Sequence, residues 1–207
     1  LSQSSDNNNI TVNGDILTTG TSASAFYNAL STGNNATIVG DITTQGSGAH
    51  GIYLFGSDSN TTSLTGNISA TQGNGIVISS SDSNTTSIVG NITTSGTNSA
   101  ALLATNSDSN VTTITGNINT SGYAGRGIYF SDALGLTNDL NTVTLTGNIA
   151  TSGNNSQGIY LANSDSNILN ITGDISTSGT DGESEGIFLK NSDFNTCLLY
   201  TYPSPRD

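Results

Sequence analysis

One tripeptide recurs at nearly constant intervals along the chain, and it constrains the fold more than any other feature. It reads Gly-Asn-Ile or Gly-Asp-Ile and begins at Gly14, Gly40, Gly66, Gly90, Gly116, Gly147 and Gly173. The successive intervals are 26, 26, 24, 26, 31 and 26 residues. A fixed period of about 20–50 residues is typical of solenoids, in which each unit packs on its neighbours. We therefore expect one elongated repeat domain in this chain of 207 residues.

Three short extended segments make up each unit. The first carries an aliphatic residue two positions before the repeat glycine: Val12, Ile38, Leu64, Ile88, Ile114, Leu145 and Ile171. The second begins at the repeat isoleucine: Ile16, Ile42, Ile68, Ile92, Ile118, Ile149 and Ile175. The third reads Gly-Ile-Tyr-Leu or a variant of it, as at residues 51–54 and 158–161. Alternation of inward and outward positions predicts that each segment is a strand with one buried face.

Three strands and three corners per unit predict one rung of a parallel β-helix. The predicted fold is an all-β, right-handed parallel β-helix of about seven rungs, in which the repeat isoleucines stack as a structural ladder. A left-handed hexapeptide helix would need a shorter period. We expect the solenoid to span residues 10–196, after a loosely held polar lead-in at residues 1–9. An enlarged corner at residues 131–141 absorbs the interval of 31 residues.

Polar residues and glycine mark the corners between strands. The repeat glycine is followed by Asp15, Asp41, Asn67, Asn91, Asn117, Asn148 and Asp174 in successive units. Stacked amides can bond along the axis, because each has a donor and an acceptor, so Asn67, Asn91, Asn117 and Asn148 are predicted to form a structural ladder. The pattern leaves open whether this ladder faces inward or outward. Ser-Gly turns after the second strand, as at residues 121–122, predict glycines with positive φ. A Ser-Asp-Ser-Asn corner, as at residues 81–84, closes many units.

The middle residue of the third strand is expected to point outward, because its neighbours point inward. This outward column reads Tyr27, Tyr53, Val77, Leu103, Tyr129, Tyr160 and Phe188. An exposed aromatic stripe suits stacking on sugar rings or docking of a partner. Tyr53, Tyr129, Tyr160 and Phe188 are therefore candidate ligand-binding residues. The favoured alternative is a packing ladder between rungs that stabilises the sheet.

No motif indicates a catalytic residue, a metal ion or a cofactor. The corner carboxylates that we considered for Ca²⁺ are Asp58, Asp82, Asp108, Asp165 and Asp193. Adjacent rungs supply one carboxylate each, so solvated turn residues are the favoured interpretation. His50, Arg126 and Glu185 share one position in their units but belong to the second, fifth and seventh rungs. At the rung spacing His50 and Arg126 are about 14 Å apart, too far for a shared proton transfer.

Charge and hydropathy argue against a nucleic acid partner and against a membrane-spanning helix. The chain has 15 acidic and 3 basic residues and a net charge of −12. Phosphate binding needs clustered Lys and Arg, so we expect no nucleic acid partner. No apolar run approaches the roughly 20 residues that a membrane helix needs, so we expect no membrane span in this sequence.

The last eleven residues differ in composition from the repeats. Residues 197–207 contain the single Cys and both Pro of the chain. They resemble the translation of a transposase-type sequencing-library adapter, from which only Tyr202 departs. We interpret them as a non-native tail, and the alternative is a genuine C-terminal cap or linker.

With its repeats aligned, the chain resembles the passenger region of bacterial autotransporter proteins. The resemblance rests on Gly-Asn/Asp-Ile-x-Thr-Ser-Gly and Gly-Ile-Tyr-Leu motifs with Ser/Asn-rich corners, and it covers residues 10–196. It implies a right-handed β-helix passenger on the surface of a Gram-negative bacterium. It also implies a C-terminal outer-membrane barrel, outside this sequence, that exports the passenger.

The function expected on this basis is that of a non-enzymatic extracellular rod for adhesion or surface display. Glycans, or the surface of a host or neighbouring cell, are the expected partners. One alternative is a polysaccharide-binding or pectate-lyase-like polysaccharide-acting enzyme, although that class relies on basic residues and this chain offers only Arg126 and Lys190 before the tail. Another is ice or mineral binding by a flat threonine array. The outward column of the second strand is too mixed for a regular lattice, since it reads Leu17, Thr43, Ser69, Thr93, Asn119, Ala150 and Ser176.

Overall fold

A computed structural model of the chain describes residues 2–132 and 139–201. Within these ranges every regular element is a strand and no helix occurs. The strands form three parallel sheets, and neighbouring strands of a sheet come from successive repeats. Each repeat of about 26 residues is therefore one turn of a parallel β-solenoid with about seven turns, as the sequence predicts.

Each sheet collects one strand from every turn, and the strands are numbered β1–β23 in chain order. Sheet 1 holds the segments that precede the repeat glycine: β2 (Asn9–Asn13), β5 (Asn35–Val39), β8 (Thr61–Thr65), β11 (Thr85–Val89), β14 (Val111–Thr115), β17 (Thr142–Thr146), β20 (Ile168–Thr172) and β23 (Thr196–Tyr200). Sheet 2 holds the segments that begin at the repeat isoleucine: β3 (Ile16–Thr18), β6 (Ile42–Thr44), β9 (Ile68–Ala70), β12 (Ile92–Thr94), β15 (Ile118–Thr120), β18 (Ile149–Thr151) and β21 (Ile175–Thr177). Sheet 3 holds the remaining segment of each turn: β1 (Ser2–Gln3), β4 (Phe26–Ala29), β7 (Ile52–Phe55), β10 (Ile76–Ser79), β13 (Ala100–Thr105), β16 (Arg126–Ser131), β19 (Ile159–Ala162) and β22 (Ile187–Lys190).

The three sheets enclose one apolar core, and the repeat isoleucines form one of its columns. The five isoleucines of the inner turns are at most 1% exposed: Ile42, Ile68, Ile92, Ile118 and Ile149. Ile92 lies opposite Ile68 on one side and Ile118 on the other. Ile16 and Ile175, in the terminal turns, are partly buried against the same core. The repeat isoleucines thus stack in a column along the axis, and each fully buried member contributes about 1.5–3 kcal/mol through its apolar burial.

A second ladder lies at the corner that closes each turn, and it consists of buried asparagines. Asn34, Asn60, Asn84, Asn110, Asn141 and Asn167 are each 2% exposed or less. The amide oxygen of Asn84 accepts hydrogen bonds from the backbone N–H and the side chain of Asn60, at 2.9 and 3.1 Å. Its amide nitrogen donates to the Ser57 carbonyl oxygen at 2.7 Å and to Asn110 Oδ1 at 3.1 Å. Each such amide thus joins its own turn to both neighbouring turns.

The lead-in belongs to the first turn, which differs from the expected loose segment. β1 pairs with β4, and Asp6 Oδ1 accepts a hydrogen bond from the Thr32 backbone N–H at 2.7 Å. The backbone N–H of Asn8 donates to Asn34 Oδ1 at 2.8 Å, so Asn8 extends the asparagine ladder by one exposed member. The physical reason is that residues 5–8 read Ser-Asp-Asn-Asn and form the same corner as the later Ser-Asp-Ser-Asn copies.

Two predicted features lie at the limits of the described ranges. Residues 133–138 of the enlarged corner at 131–141 lie outside them. At the other end, β23 pairs in parallel with β20, so residues 197–200 continue sheet 1. The non-native origin of residues 197–207 stays a prediction, because strand pairing says nothing about origin.

The repeat glycines are required by both conformation and contact. Gly40, Gly66, Gly90, Gly116, Gly147 and Gly173 have φ between +143° and +154°, a region that L side chains rarely adopt. In addition, a Cβ atom on Gly90 would overlap the carbonyl oxygen of Gly66 in the preceding turn. The corner between sheets 1 and 2 therefore places the backbones of successive turns in direct contact.

The Ser-Gly turns do not use positive φ at glycine, so that prediction is wrong. Gly96 and Gly122 lie outside the positive-φ set, whereas Asn98 and Ala124, two residues further on, have φ of 57° and 51°. A Cβ atom on Gly122 would overlap the Gly96 carbonyl oxygen. Glycine is needed here because the backbone of the neighbouring turn approaches closely, while the turn itself is made by the residue two positions later.

Replacement of Gly90 by Ala should destabilise the solenoid more than replacement of Gly14. Both glycines have a strained φ, +154° and +136°, which costs alanine about 1–3 kcal/mol. Only Gly90 also has a neighbouring turn against its Cβ position, because Gly14 has no atom within 4 Å of it. We expect Gly90→Ala to lower the free energy of unfolding by more than about 3 kcal/mol and Gly14→Ala by less. Chemical denaturation followed by circular dichroism measures the free energy of unfolding of both variants. Equal losses would contradict the close contact between Gly90 and the preceding turn.

Candidate binding surface

The outward column of sheet 3 is in register along the whole solenoid. It consists, turn by turn, of Tyr27, Tyr53, Val77, Leu103, Tyr129, Tyr160 and Phe188. Val77 and Leu103 divide its aromatic members into two clusters. The row that the sequence predicts is therefore present, but it is not a uniform stripe.

The first aromatic cluster lies on the second turn and its neighbour. The Tyr27 and Tyr53 ring centroids are 5.1 Å apart with an interplanar angle of 36°. The His50 ring meets Tyr53 edge-on at 5.2 Å, and Phe55 lies 5.9 Å away. Both tyrosines are half-buried. Because the tilt leaves the two tyrosine faces splayed, this cluster is only partly closed by its own packing.

The second aromatic cluster combines a stacked pair of tyrosines with an arginine. Tyr129 and Tyr160 stack at 5.1 Å with an angle of 13°, and Phe188 follows Tyr160 at 5.1 Å and 50°. The Arg126 guanidinium carbon lies 4.5 Å from the Tyr129 ring centroid and 4.9 Å from that of Tyr160. These contacts show that the clusters pack between turns, as the favoured alternative expects. A ligand-binding role for Tyr53, Tyr129, Tyr160 and Phe188 stays a prediction.

A polar chain of three hydrogen-bonded side chains, Arg126, Gln157 and Glu185, lies beside the second cluster. Arg126 Nε donates to Gln157 Oε1 at 3.2 Å, and Arg126 Nη1 donates to the Ala124 carbonyl oxygen at 3.3 Å. Gln157 Nε2 donates to the Glu183 carbonyl oxygen at 2.7 Å and to Glu185 Oε2 at 3.3 Å. Gln157 thus joins Arg126 to Glu185 across three successive turns. Sequence reasoning noted the shared position of Arg126 and Glu185 but missed Gln157, which holds that position in the turn between them.

Each aromatic cluster borders a cavity. The first, of about 370 Å³, is lined by Ser22, Ala23, Ser24, Tyr27 and Tyr53. The second, of about 360 Å³, is lined by Arg126, Gln157, Tyr160, Glu183, Glu185 and Phe188, among others. Both volumes fall in the range of about 300–1,000 Å³ that is usual for small-molecule sites. The first cavity offers rings and hydroxyl groups, and the second adds one guanidinium and two carboxylates.

The column after the repeat glycine faces solvent, which settles its orientation. Asn91 Oδ1 accepts a hydrogen bond from the Asn117 backbone N–H at 2.8 Å, and Asn117 and Asn148 are joined in the same way at 2.8 Å. The bond runs from backbone to side-chain oxygen, so a carboxylate serves as well as an amide. This explains why Asp15 can replace asparagine in the column: its Oδ1 accepts from the Asp41 N–H at 2.8 Å. The column is thus joined along the axis by backbone-to-side-chain bonds rather than by bonds between stacked amides.

The corner aspartates use their side chains in the same manner. Asp82 Oδ1 accepts from the Asp108 backbone N–H, and Asp108 Oδ1 accepts from that of Asp139, both at 2.8 Å. In residues 2–132 and 139–201, no group of three or more His, Cys, Asp or Glu side chains is arranged to hold a metal ion. The same ranges contain no helix with the length and apolar character needed to cross a bilayer.

Comparison of the chain with protein-family models, with curated proteins and with solved structures finds no match in any of the three.

His50 connects the first cluster to the backbone of the next turn. Its Nδ1 accepts the Asn74 backbone N–H at 3.0 Å, so the neutral ring carries its proton on Nε2. Burial lowers the pKa of His50 below its ordinary value of 6.5. The equivalent side chain one turn later, Asn74, makes the same bond, with its Oδ1 accepting from the Ala100 N–H.

Replacement of His50 by Asn should remove a pH dependence while keeping the hydrogen bond. In the unfolded chain His50 takes up a proton near pH 6.5, whereas the folded state resists protonation until lower pH. The parent protein should therefore lose stability relative to His50→Asn as the pH falls below 6.5, and the two should keep a constant difference above it. Melting temperatures measured between pH 8 and pH 4.5 give this comparison. Parallel curves over the whole range would show that His50 is not buried as described.

Proposed function

We propose that this chain is a non-enzymatic, surface-displayed rod that binds glycans beside its outward aromatic column. The observation that carries the proposal is the first cavity, in which the splayed rings of Tyr27 and Tyr53 lie next to Ser22 and Ser24. The C–H face of a sugar packs on an aromatic ring, while its hydroxyl groups bond to serine. A concave site with apolar walls and a few polar groups is the usual form of a small-ligand site.

Surface display is supported by the autotransporter-like repeat. A rod built from stacked turns holds its columns of side chains on a long rigid face, which suits attachment to another surface. Labelling of intact cells that express the full-length protein, with antibody against this region, tests the location. Labelling only after the cells are permeabilised would contradict it.

Polysaccharide cleavage is the second candidate, and Glu183 and Glu185 beside Arg126 are the groups that favour it. Glycoside hydrolysis uses two carboxyl groups on opposite sides of the scissile bond. Here Glu185 is hydrogen-bonded to Gln157, which places it in the polar chain rather than across an open cleft. Incubation of the protein with polysaccharides, followed by an assay for new reducing ends, decides between binding and cleavage.

Replacement of Tyr53 by Ala should weaken glycan binding about fivefold, because one aromatic contact contributes on the order of 1 kcal/mol. Binding of the protein to an immobilised glycan panel, followed by calorimetry on the glycans retained, measures the change. Tyr53→Phe keeps the ring and should bind within about twofold of the parent.

Tyr123→Ala is the matched control, since Tyr123 is 55% exposed and lies outside both cavities. It should leave binding unchanged. If parent, Tyr53→Ala and Tyr123→Ala bind every glycan equally, the column has only a packing role. Circular dichroism of Tyr53→Ala must match the parent for the comparison to hold.

A further inference from the structure

Two columns of side chains run side by side along the outer edge of sheet 3. The first is the outward column that begins at Tyr27. The second lies three residues earlier in each turn and consists of Ser24, His50, Asn74, Ala100, Arg126, Gln157 and Glu185. Members of the two columns touch within a turn, as His50 touches Tyr53 and Arg126 covers Tyr129. Both cavities open beside this double column, one near each end of it.

The two cavities are in line with the solenoid axis. Tyr53 borders the first and Tyr160 the second, and they are separated by the turns of Val77, Leu103 and Tyr129. Four steps of about 4.8 Å place them about 19 Å apart along the axis. A single sugar cannot reach from one to the other, whereas an extended oligosaccharide can.

Between the two aromatic clusters, the stretch formed by the turns of Val77 and Leu103 carries no charged side chain in the double column. Its two turns carry Asn74 with Val77 and Ala100 with Leu103, all of them uncharged; Val77 and Ala100 are buried, and Asn74 and Leu103 are partly exposed. At its margin, His50 is kept neutral because burial lowers its pKa. An uncharged chain laid along this stretch would desolvate no ionised group.

The charge around the second cavity opposes an anionic ligand. Glu183 and Glu185 outnumber Arg126, and the chain as a whole carries a net charge of −12. Hydrogen bonding, first from the Asn155 backbone N–H, lowers the pKa of the neighbouring Asp181, so this carboxyl is ionised at neutral pH. A neutral sugar fits better, because each hydroxyl donates to a carboxylate and accepts from a guanidinium or an amide.

We propose that the two cavities are the ends of one extended site, which binds a single linear, neutral polysaccharide chain laid parallel to the solenoid axis. The proposal rests on the glycan binding proposed above and adds the ligand's charge, its extended form and its direction. Occupation of one cavity by such a chain holds the next sugars beside the second, so the second contact forms at high effective concentration. Affinity should then depend steeply on chain length, because sugars too short to span the cavities bind each one separately.

Calorimetry with linear neutral oligosaccharides tests this, using β-1,4-glucan, β-1,4-mannan and α-1,4-glucan series from the monosaccharide to the octasaccharide. We expect at least one series to gain about 100-fold in affinity once its members span about 19 Å. Tyr53→Ala, at the first cavity, and Phe188→Ala, at the second, should each remove most of this gain. Each should leave the binding of short members at the other cavity unchanged. Oligogalacturonates of the same lengths, which carry one carboxylate per sugar, should bind more weakly than the neutral series.

Each outcome separates this inference from the proposed function. If short and long members bind with equal affinity, the cavities act independently and the single-chain site is wrong, although glycan binding stands. If oligogalacturonates bind as tightly as the neutral series, the inferred charge preference is wrong. If no oligosaccharide of any length binds, the proposed function fails together with the inference. Tyr123→Ala again serves as the control for loss of an exposed ring.

Discussion

The structure depends on one constraint, which is that every turn is held in register with the turns on either side. Backbone hydrogen bonds between parallel strands contribute to this register. Because they are the same at every position, they cannot by themselves prevent one strand from shifting along its neighbour. The buried asparagine ladder adds a specific lock, because the Asn110 amide bonds to the turn before it and the turn after it. A slipped turn would leave such an amide buried without partners, at a cost of about 1–3 kcal/mol for each group.

The same register also aligns the variable positions of successive turns into one surface. Because each turn repeats the last, residues at one position form a column parallel to the axis, and a change of side chain in one turn changes one step of that column. Isoleucine is kept in all seven copies of the inward position, whereas the outward position changes from tyrosine to valine and leucine and back. The two aromatic clusters and their cavities arise because the outward position accepts different side chains in different turns. The solenoid therefore separates its stabilising columns from the columns that can acquire a ligand.

Most of the fold could be predicted from the sequence, because a repeated pattern reports the same strand many times. The three strands per turn, the isoleucine column and the outward aromatic column were all readable from spacing. The buried role of Asn84 and its equivalents was not, since Ser-Asp-Ser-Asn looks like any solvated corner and only the fold shows which of its side chains turns inward. The prediction of positive φ at the Ser-Gly glycines was wrong for a related reason: glycine is required there by contact with the preceding turn, which local sequence does not show.

The candidate site was less predictable than the fold. Sequence alone placed Tyr129 and Tyr160 in one outward column and favoured packing between turns there, but it did not show that Arg126 lies over both rings. Arg126 is the first residue of β16, the strand that also holds Tyr129, and its reach over the rings depends on its rotamer and on the bond to Gln157. Cavities arise where neighbouring side chains fail to fill space, and such gaps depend on the packing of several turns at once. Spacing along the strands therefore identified the outward column but not the two cavities beside it.

The central claim, that register is locked by the buried asparagines, is tested most directly by the unfolding free energies of Asn110→Ala and Asn91→Ala. Both side chains accept a hydrogen bond from a neighbouring turn, but Asn110 is 2% exposed and Asn91 faces solvent. Asn110→Ala should cost more than about 3 kcal/mol because it strands several buried groups, while Asn91→Ala should cost less than about 1 kcal/mol because water replaces the lost bond. Equal small losses for the two variants would contradict the account.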